Sequence, residues 1–307
     1  MRIAIVFSIV LCTAPLHAGI DFERDGTNLK INIDGKLFTE FRSDSANPCL
    51  YPLMSPSGTH LTRQYPFADS VKGEEPDYPH HVGFWFTHGS VNGKDFWHSR
   101  DGAKIVTTGF VGEPEATGDR ATFAVDLSWR VGDQPTLTEQ RTYTITNDGE
   151  TRTIDVISTL RPVGGDVVFG DTKEGSFAIR VAPTLRLSGK VAEGHITTSE
   201  GIKDHDAWGK RAKWVAYHGP DSAGTPTVVA ILDHNKNLRH PTWWHARDYG
   251  LLTANPFGPR AYRDKDFKGD DYKLKEGGSL TQRYRLVLHQ GDLASAKLAD
   301  RWKEFTK

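Results

Sequence analysis

The chain has 307 residues, with 38 basic and 39 acidic side chains and a formal net charge of −1. Charge this evenly balanced gives no general footprint for nucleic acid or for a membrane surface. Two cysteines exclude a disulfide-stapled scaffold, so stability rests on a hydrophobic core, which a chain of this length can bury.

The N-terminus has the order of a secretory signal over residues 1–18: Arg2, the apolar run Ile3 to Leu11, then the small Ala18. That run is too short to span a bilayer, and no later segment approaches a span. Leu11 is bulky where a lipid-anchor site before Cys12 needs a small residue. The expected location is therefore periplasmic or secreted, with no stable membrane insertion after signal removal. The mature chain, 19–307, reads as a single β-sandwich domain. Cys49 is left alone in it and reads as a small buried apolar residue.

Strand signals follow. "NLKINIDGKLFTEF" predicts a hairpin turning at Asp34 and Gly35. Ser43 to Tyr78 reads as a long loop rich in Pro, Ser, Asp and Gly, and loops of that length are often functional. Val82 to Phe86 reads as a buried strand with histidines at both ends. "ATFAVDLSWRV" alternates, with Phe123, Val125, Leu127, Trp129 and Val131 on one face. "LTEQRTYTIT" and "TRTIDVISTL" flank Asn147-Asp148-Gly149, whose residues tolerate positive φ and favour a tight turn. Further strands are expected at Ser176 to Val181, Thr184 to Leu187, Trp214 to His218, Val228 to Asp233 and Leu280 to His289. In "DLASAKLADRWKEFTK", Ala294, Leu298, Trp302 and Phe305 recur at helical spacing, with Asp292 as the expected cap. The pattern is all-β: a large antiparallel sandwich covered at the end by one short helix.

Three stretches carry chemistry. "PHHVGFWFTHGSVNGKDFW" packs His80, His81 and His88 into nine residues around an aromatic run that includes Trp85. Imidazole exchanges protons near neutral pH, so His81 and His88 are acid/base candidates. On one straight strand His80 and His88 would lie about 26 Å apart at 3.3 Å per residue, too far to share a metal. Asp95 reads equally as a loop carboxylate or a site acid. "FGDTKEGSFAIRV" sets Asp171, Lys173 and Glu174 just before a strand, and a carboxylate in such company is a candidate base. "NLRHPTWWHARDYGLLTANPFGPR" gathers His240, Trp243, Trp244, His245, Arg247 and Asn255. Pro241 argues for a loop or strand edge there. Aromatic plates beside imidazole, guanidinium and amide groups suit a sugar. For each residue a purely structural part is the competing reading. No dinucleotide fingerprint, phosphate-binding loop, H-E-x-x-H or G-x-S-x-G occurs.

Together, "HHVGFWFTHGSVNGKDFW", "GDTKEGSFAIRV", "DHNKNLRHPTWWHARDYGLLTANPFG" and "RYRLVLHQGD" resemble the PmoA-like family of exported bacterial proteins, from about Asn28 to the C-terminus. The name suggests a methane oxygenase subunit, which would need several spanning helices that this sequence lacks. The resemblance instead implies a β-supersandwich similar to galactose mutarotases and some polysaccharide lyases. In such enzymes a histidine and a carboxylate move protons on a sugar.

The expected function is acid/base chemistry on a small-molecule carbohydrate. His81, His88, His245 and Glu174 are the catalytic candidates. His80, Trp85, Asp171, Lys173, His240, Trp243, Trp244, Arg247 and Asn255 are the substrate contacts. A divalent metal stays open as an alternative, held by His81, His88, His240 and His245 with Asp171 or Glu174. A non-catalytic sugar-binding protein stays open as well.

Overall fold

The computed structural model describes residues 19–45, 47–69 and 71–307. The residues read as an export signal, Cys12 included, lie outside them. Two large antiparallel sheets face each other across a shared core. The first has eight strands in the order Ile20–Asp25, Asn28–Ile33, Lys36–Arg42, Cys49–Leu53, Phe84–His88, Gly175–Arg180, Leu251–Asn255 and Trp243–Ala246. The second has nine, built around the long strands Arg120–Val131, Gln134–Asn147, Thr151–Pro162 and Leu280–Gln290.

Alternation explains which side chains meet between the sheets. Phe123, Val125, Leu127 and Trp129 point inward from the nine-stranded sheet, and Phe84, Phe86, Phe177, Ile179 and Leu252 point inward from the eight-stranded one. The hairpins at Asp34-Gly35 and at Asn147 to Gly149 form where expected, with Gly149 at φ 80°. Trp243–Ala246 is an edge strand, which suits the nearby Pro241.

Three expectations are corrected. Thr184 to Leu187 is not a strand: Pro183 opens a short 3-10 turn, Pro183–Leu185, because its fixed φ and missing N–H favour a first turn over a ladder. The region 43–78 is not all loop, since Cys49–Leu53 pairs with Phe84–His88 inside the sheet. The helix starts at Leu298 rather than beside Asp292. Asp292 instead closes a separate turn, accepting from the N–H of Ser295 at 2.8 Å, and Lys297 at φ 47° interrupts the chain before the helix. The helix does cover the nine-stranded sheet, laying Leu298, Trp302 and Phe305 over Ala216, Val228, Ala230, Leu232 and Val287. Among the described residues, no helix is long and apolar enough to cross a membrane.

Candidate functional site

The outer face of the eight-stranded sheet holds the chemistry. Strand register places Cys49, Trp85, Ala178, Thr253 and His245 side by side on five neighbouring strands. Each is one residue out of step with a core residue, so all five point away from the core. One row along, Arg180 pairs with Leu251, and the N–H of Arg247 reaches the carbonyl of Leu251 at 2.9 Å. Parity therefore puts Arg180, Arg247 and His245 on one surface. A small apolar layer of Cys49, Val82, Trp85, Trp97, Ala178 and Leu251 forms its floor.

A loop from Asp77 to His81 lies over this floor. Two buried arginines tie it down. Arg63 pairs with the Asp77 carboxylate and donates to the carbonyls of Asp77, Tyr78 and His81 at 2.7, 2.8 and 3.1 Å. Arg180 grips the same carboxylate at 3.1 and 3.3 Å. These bonds hold Tyr78 at φ 42°, a left-handed conformation that a bulky residue keeps only when its surroundings over-determine it. Arg180 also donates to Nδ1 of His81 at 3.1 Å. Nδ1 is then an acceptor, so the ring proton sits on Nε2. Burial, helped by the neighbouring positive groups, drives the His81 pKa far below the usual histidine range. His81 is thus a neutral hydrogen-bond donor. Of the acid/base part expected of it, only the donor half is open in this arrangement, because its free lone pair is taken by a guanidinium.

The groups suited to proton transfer lie beside it. His98 donates from Nδ1 to Asp95 at 2.7 Å, which leaves Nε2 as the acceptor nitrogen. The rings of His80 and His98 are 4.3 Å apart, and both line a hollow of about 480 Å³ with Tyr78, Pro79 and Arg100. Burial pushes the His80 pKa down to about 4, so this ring is neutral too. Glu174 is half-buried, and burial raises its pKa. The charges of Lys173, Asp95, Arg247 and, when protonated, His98 act on it, so three distant stretches of sequence come within electrostatic range of one carboxyl. The Lys173 ammonium is 3.8 Å from Glu174. Tyr249 stacks on Tyr78 at 5.4 Å and lies parallel to His81. His245 is buried among Trp208 and Tyr262, and burial lowers its pKa to about 3.

Buried polar atoms are normally hydrogen-bonded. Here Trp85 Nε1, Trp97 Nε1, Trp208 Nε1, His245 Nδ1 and Arg247 Nε are buried and have no hydrogen-bond partner among the described residues. Others of the same kind lie elsewhere, among them both side-chain atoms of Asn47, Thr107 Oγ1, Arg152 Nε and Gln282 Nε2. A hollow of about 500 Å³ also lies on the nine-stranded sheet, beside Asp126, Arg130 and Gln140, but no imidazole lines it.

Several expected contacts lie elsewhere. The chain is not straight from His80 to His88. Gly83, at φ 57°, bends it before the strand begins at Phe84. His88 emerges at the far end, fully buried, donating from Nε2 to the Gly170 carbonyl at 2.8 Å and accepting from Ser176 at 3.2 Å. Both its nitrogens are occupied, so it fastens the strand end and has no free nitrogen for catalysis. Asp171 accepts the N–H groups of Arg260 and Ala261 at 2.9 and 2.8 Å and shapes that turn. Asn255 is buried, bonding Thr172 and Tyr262. His240 bonds Asp233 at 2.7 Å and stacks on Trp302 under the terminal helix. Trp244 packs in the inter-sheet core. Trp243 is sealed by Phe267 and Arg211 and donates to Asp264 at 2.9 Å. Trp85 is a floor residue, too deeply buried to act as a stacking plate. The four-histidine metal grouping does not assemble, because His88 and His240 sit at separate places. No group of three or more His, Cys, Asp or Glu side chains is placed to hold a metal among the described residues.

Sequence reading overlooked His98, Arg180, Tyr249 and Tyr78. A signal existed for two of them. Asp95 and His98 have the i, i+3 spacing that lets a carboxylate cap a turn, and Asp95 also accepts the N–H of His98 at 3.0 Å. Arg180 follows Phe177 and Ile179 in strand parity, which already placed it on the face opposite the core.

Residues 28–303 match a protein family of unknown function, DUF6807. No curated protein matches the chain. Solved structures that it resembles include the GH36 α-galactosidase AgaB from Geobacillus stearothermophilus, at 9% identity and a TM-score of 0.44, over 90% of this chain and 41% of that one. A variant of the GH36 α-galactosidase AgaA from the same organism, in complex with 1-deoxygalactonojirimycin, matches at 10% identity and a TM-score of 0.40, over 89% and 41%. A galactose mutarotase related enzyme from Lactobacillus acidophilus matches at 8% identity and a TM-score of 0.34, over 89% and 98%. The chain thus spans about two fifths of the length of the α-galactosidases. With all but its ends covered by the family match, the chain belongs to DUF6807, a family of unknown function.

Proposed function

We propose that this protein is an exported carbohydrate-active enzyme that moves protons on a sugar or sugar derivative, as a lyase, an epimerase or a hydrolase of an activated glycoside. One observation carries the reading. An Asp95-oriented His98 lines an aromatic-walled hollow, and a half-buried Glu174 of raised pKa lies within its electrostatic reach. A histidine whose Nδ1–H is fixed by a carboxylate presents Nε2 as a base. A carboxyl pushed upward by burial holds its proton closer to neutral pH and serves as the acid.

The other side chains divide the remaining work. Tyr78 is exposed and stacked on Tyr249, so it offers a face to the C–H side of a sugar ring. The Nε2–H of His81 donates to a ring hydroxyl. Arg247 and Lys173 hold polar groups of the substrate. The export reading comes from residues 1–18 and from the likeness to PmoA-like proteins.

The test is proton NMR of the mature protein with a panel of glycosides and oxidised glycosides, with and without chelator, beside His98→Ala and Glu174→Gln. The expected result is a product indifferent to chelator, with turnover lowered on the order of 10²–10⁴ in His98→Ala. Unchanged turnover in both variants would remove the assignment. Broadened sugar resonances without product would favour a non-catalytic binding protein. A product lost with chelator would return the reading to a metal enzyme.

A further inference from the structure

Arg247 stands apart among the arginines of this surface. Arg63 and Arg180 share the carboxylate of Asp77. Lys173 has Glu174 beside it. Arg247 makes no side-chain hydrogen bond and no ion pair among the described residues, and its Nε is buried. Its Cζ lies 5.4 Å from the centre of the Tyr249 ring, and Arg180 Cζ lies 4.5 Å from the same centre. Two guanidinium groups therefore lie against one neutral phenol, and among the described residues only Arg180 of the two makes an ion pair. A partly desolvated cation without a partner is costly to keep. A planar guanidinium fork is best matched by a carboxylate, which accepts two parallel N–H bonds.

Position supports the same partner. Arg247 and His245 lie two residues apart on one face at the edge of the sheet. The field of Arg247 reaches Glu174 and His245. A ligand group held by Arg247 would thus lie near Glu174, the proposed acid. We infer that Arg247 anchors a ligand carboxylate, and that the sugar taken by this site is a uronic acid. This rests on the carbohydrate reading above and narrows it to an acidic substrate.

Calorimetric titration at low salt tests the inference. The probes are galacturonate and glucuronate, each beside its neutral hexose. The wild type is expected to bind a uronate at least about tenfold more tightly than the matching hexose, a preference that shrinks as salt rises. Arg247→Ala should abolish the preference, and Arg247→Lys should keep part of it by supplying charge without the fork. Should Arg247→Ala fail to fold, Arg247→Lys and Arg247→Gln decide between charge and packing. Equal binding of hexose and uronate by the wild type overturns the acidic substrate and leaves the sugar reading standing. A preference that survives in Arg247→Ala removes Arg247 as the anchor. Binding of neither class overturns both readings.

Discussion

His88 and His98 carry the same ring and end in opposite situations. His98 has one nitrogen fixed by Asp95 and the other without a hydrogen-bond partner among the described residues. His88 is enclosed, with both nitrogens bonded, and burial lowers its pKa to about 4. That depression makes it a stability device with a defined sign. The unfolded chain takes up a proton near pH 6.5, whereas the folded chain resists until about pH 4. Stability is therefore complete above pH 6.5 and declines as pH falls toward 4, by roughly 2–3 kcal/mol from this residue at pH 4.5. His81 and His245, also lowered by burial, act in the same direction. Urea unfolding at pH 7.5 and pH 4.5 should show a smaller acid loss in His88→Gln than in wild type. Equal losses in the two proteins would contradict the account. The density of His80 and His81 beside an aromatic run was legible in the sequence. The difference between His88 and His98 was not, because it depends on Gly170, Ser176 and the turn at Asp95, which meet only in the fold.

Among the elements, the strand Phe84–His88 shows where pattern reading succeeds and where it stops. Its apolar run announces a buried strand, and all five residues are buried. Both faces are covered, by the inter-sheet core on one side and by Trp97 with the 77–81 loop on the other, so alternation is absent and cannot assign faces. The bend before it turns on Gly83. At φ 57° glycine is unstrained, and a Cβ there would stand 2.3 Å from the Leu50 carbonyl oxygen. Gly83→Ala should lower unfolding free energy by roughly 1–3 kcal/mol, read as a drop in denaturant midpoint. An unchanged midpoint would mean that the bend does not need glycine. The half-buried strands were the legible ones: Arg120–Val131 alternates in sequence as it does in burial. Cys49–Leu53 was hidden, because four of its five residues are buried and a proline sits within it. That combination resembles the loop around it.

For the molecule as a whole, the central claim is that the outer face of the eight-stranded sheet takes a sugar and the nine-stranded sheet does not. The tryptophans report on this separately. Trp85 and Trp97 lie in the floor of the proposed site with no partner for their indole N–H among the described residues. Trp129 and Trp302 belong to the inter-sheet core and the terminal helix, and their indoles donate to Glu139 and to the Asp233 carbonyl at 2.7 and 2.8 Å. Register arguments could locate the two faces from sequence, but the choice between them needed the 77–81 loop and its arginines in place. The most direct measurement is a ¹⁵N–¹H spectrum of the assigned indole groups during titration with uronates and hexoses. The account predicts that the Trp85 and Trp97 signals move together and saturate, while those of Trp129 and Trp302 stay still. Shifts confined to Trp129 or Trp302, or no shift with any sugar, would contradict it.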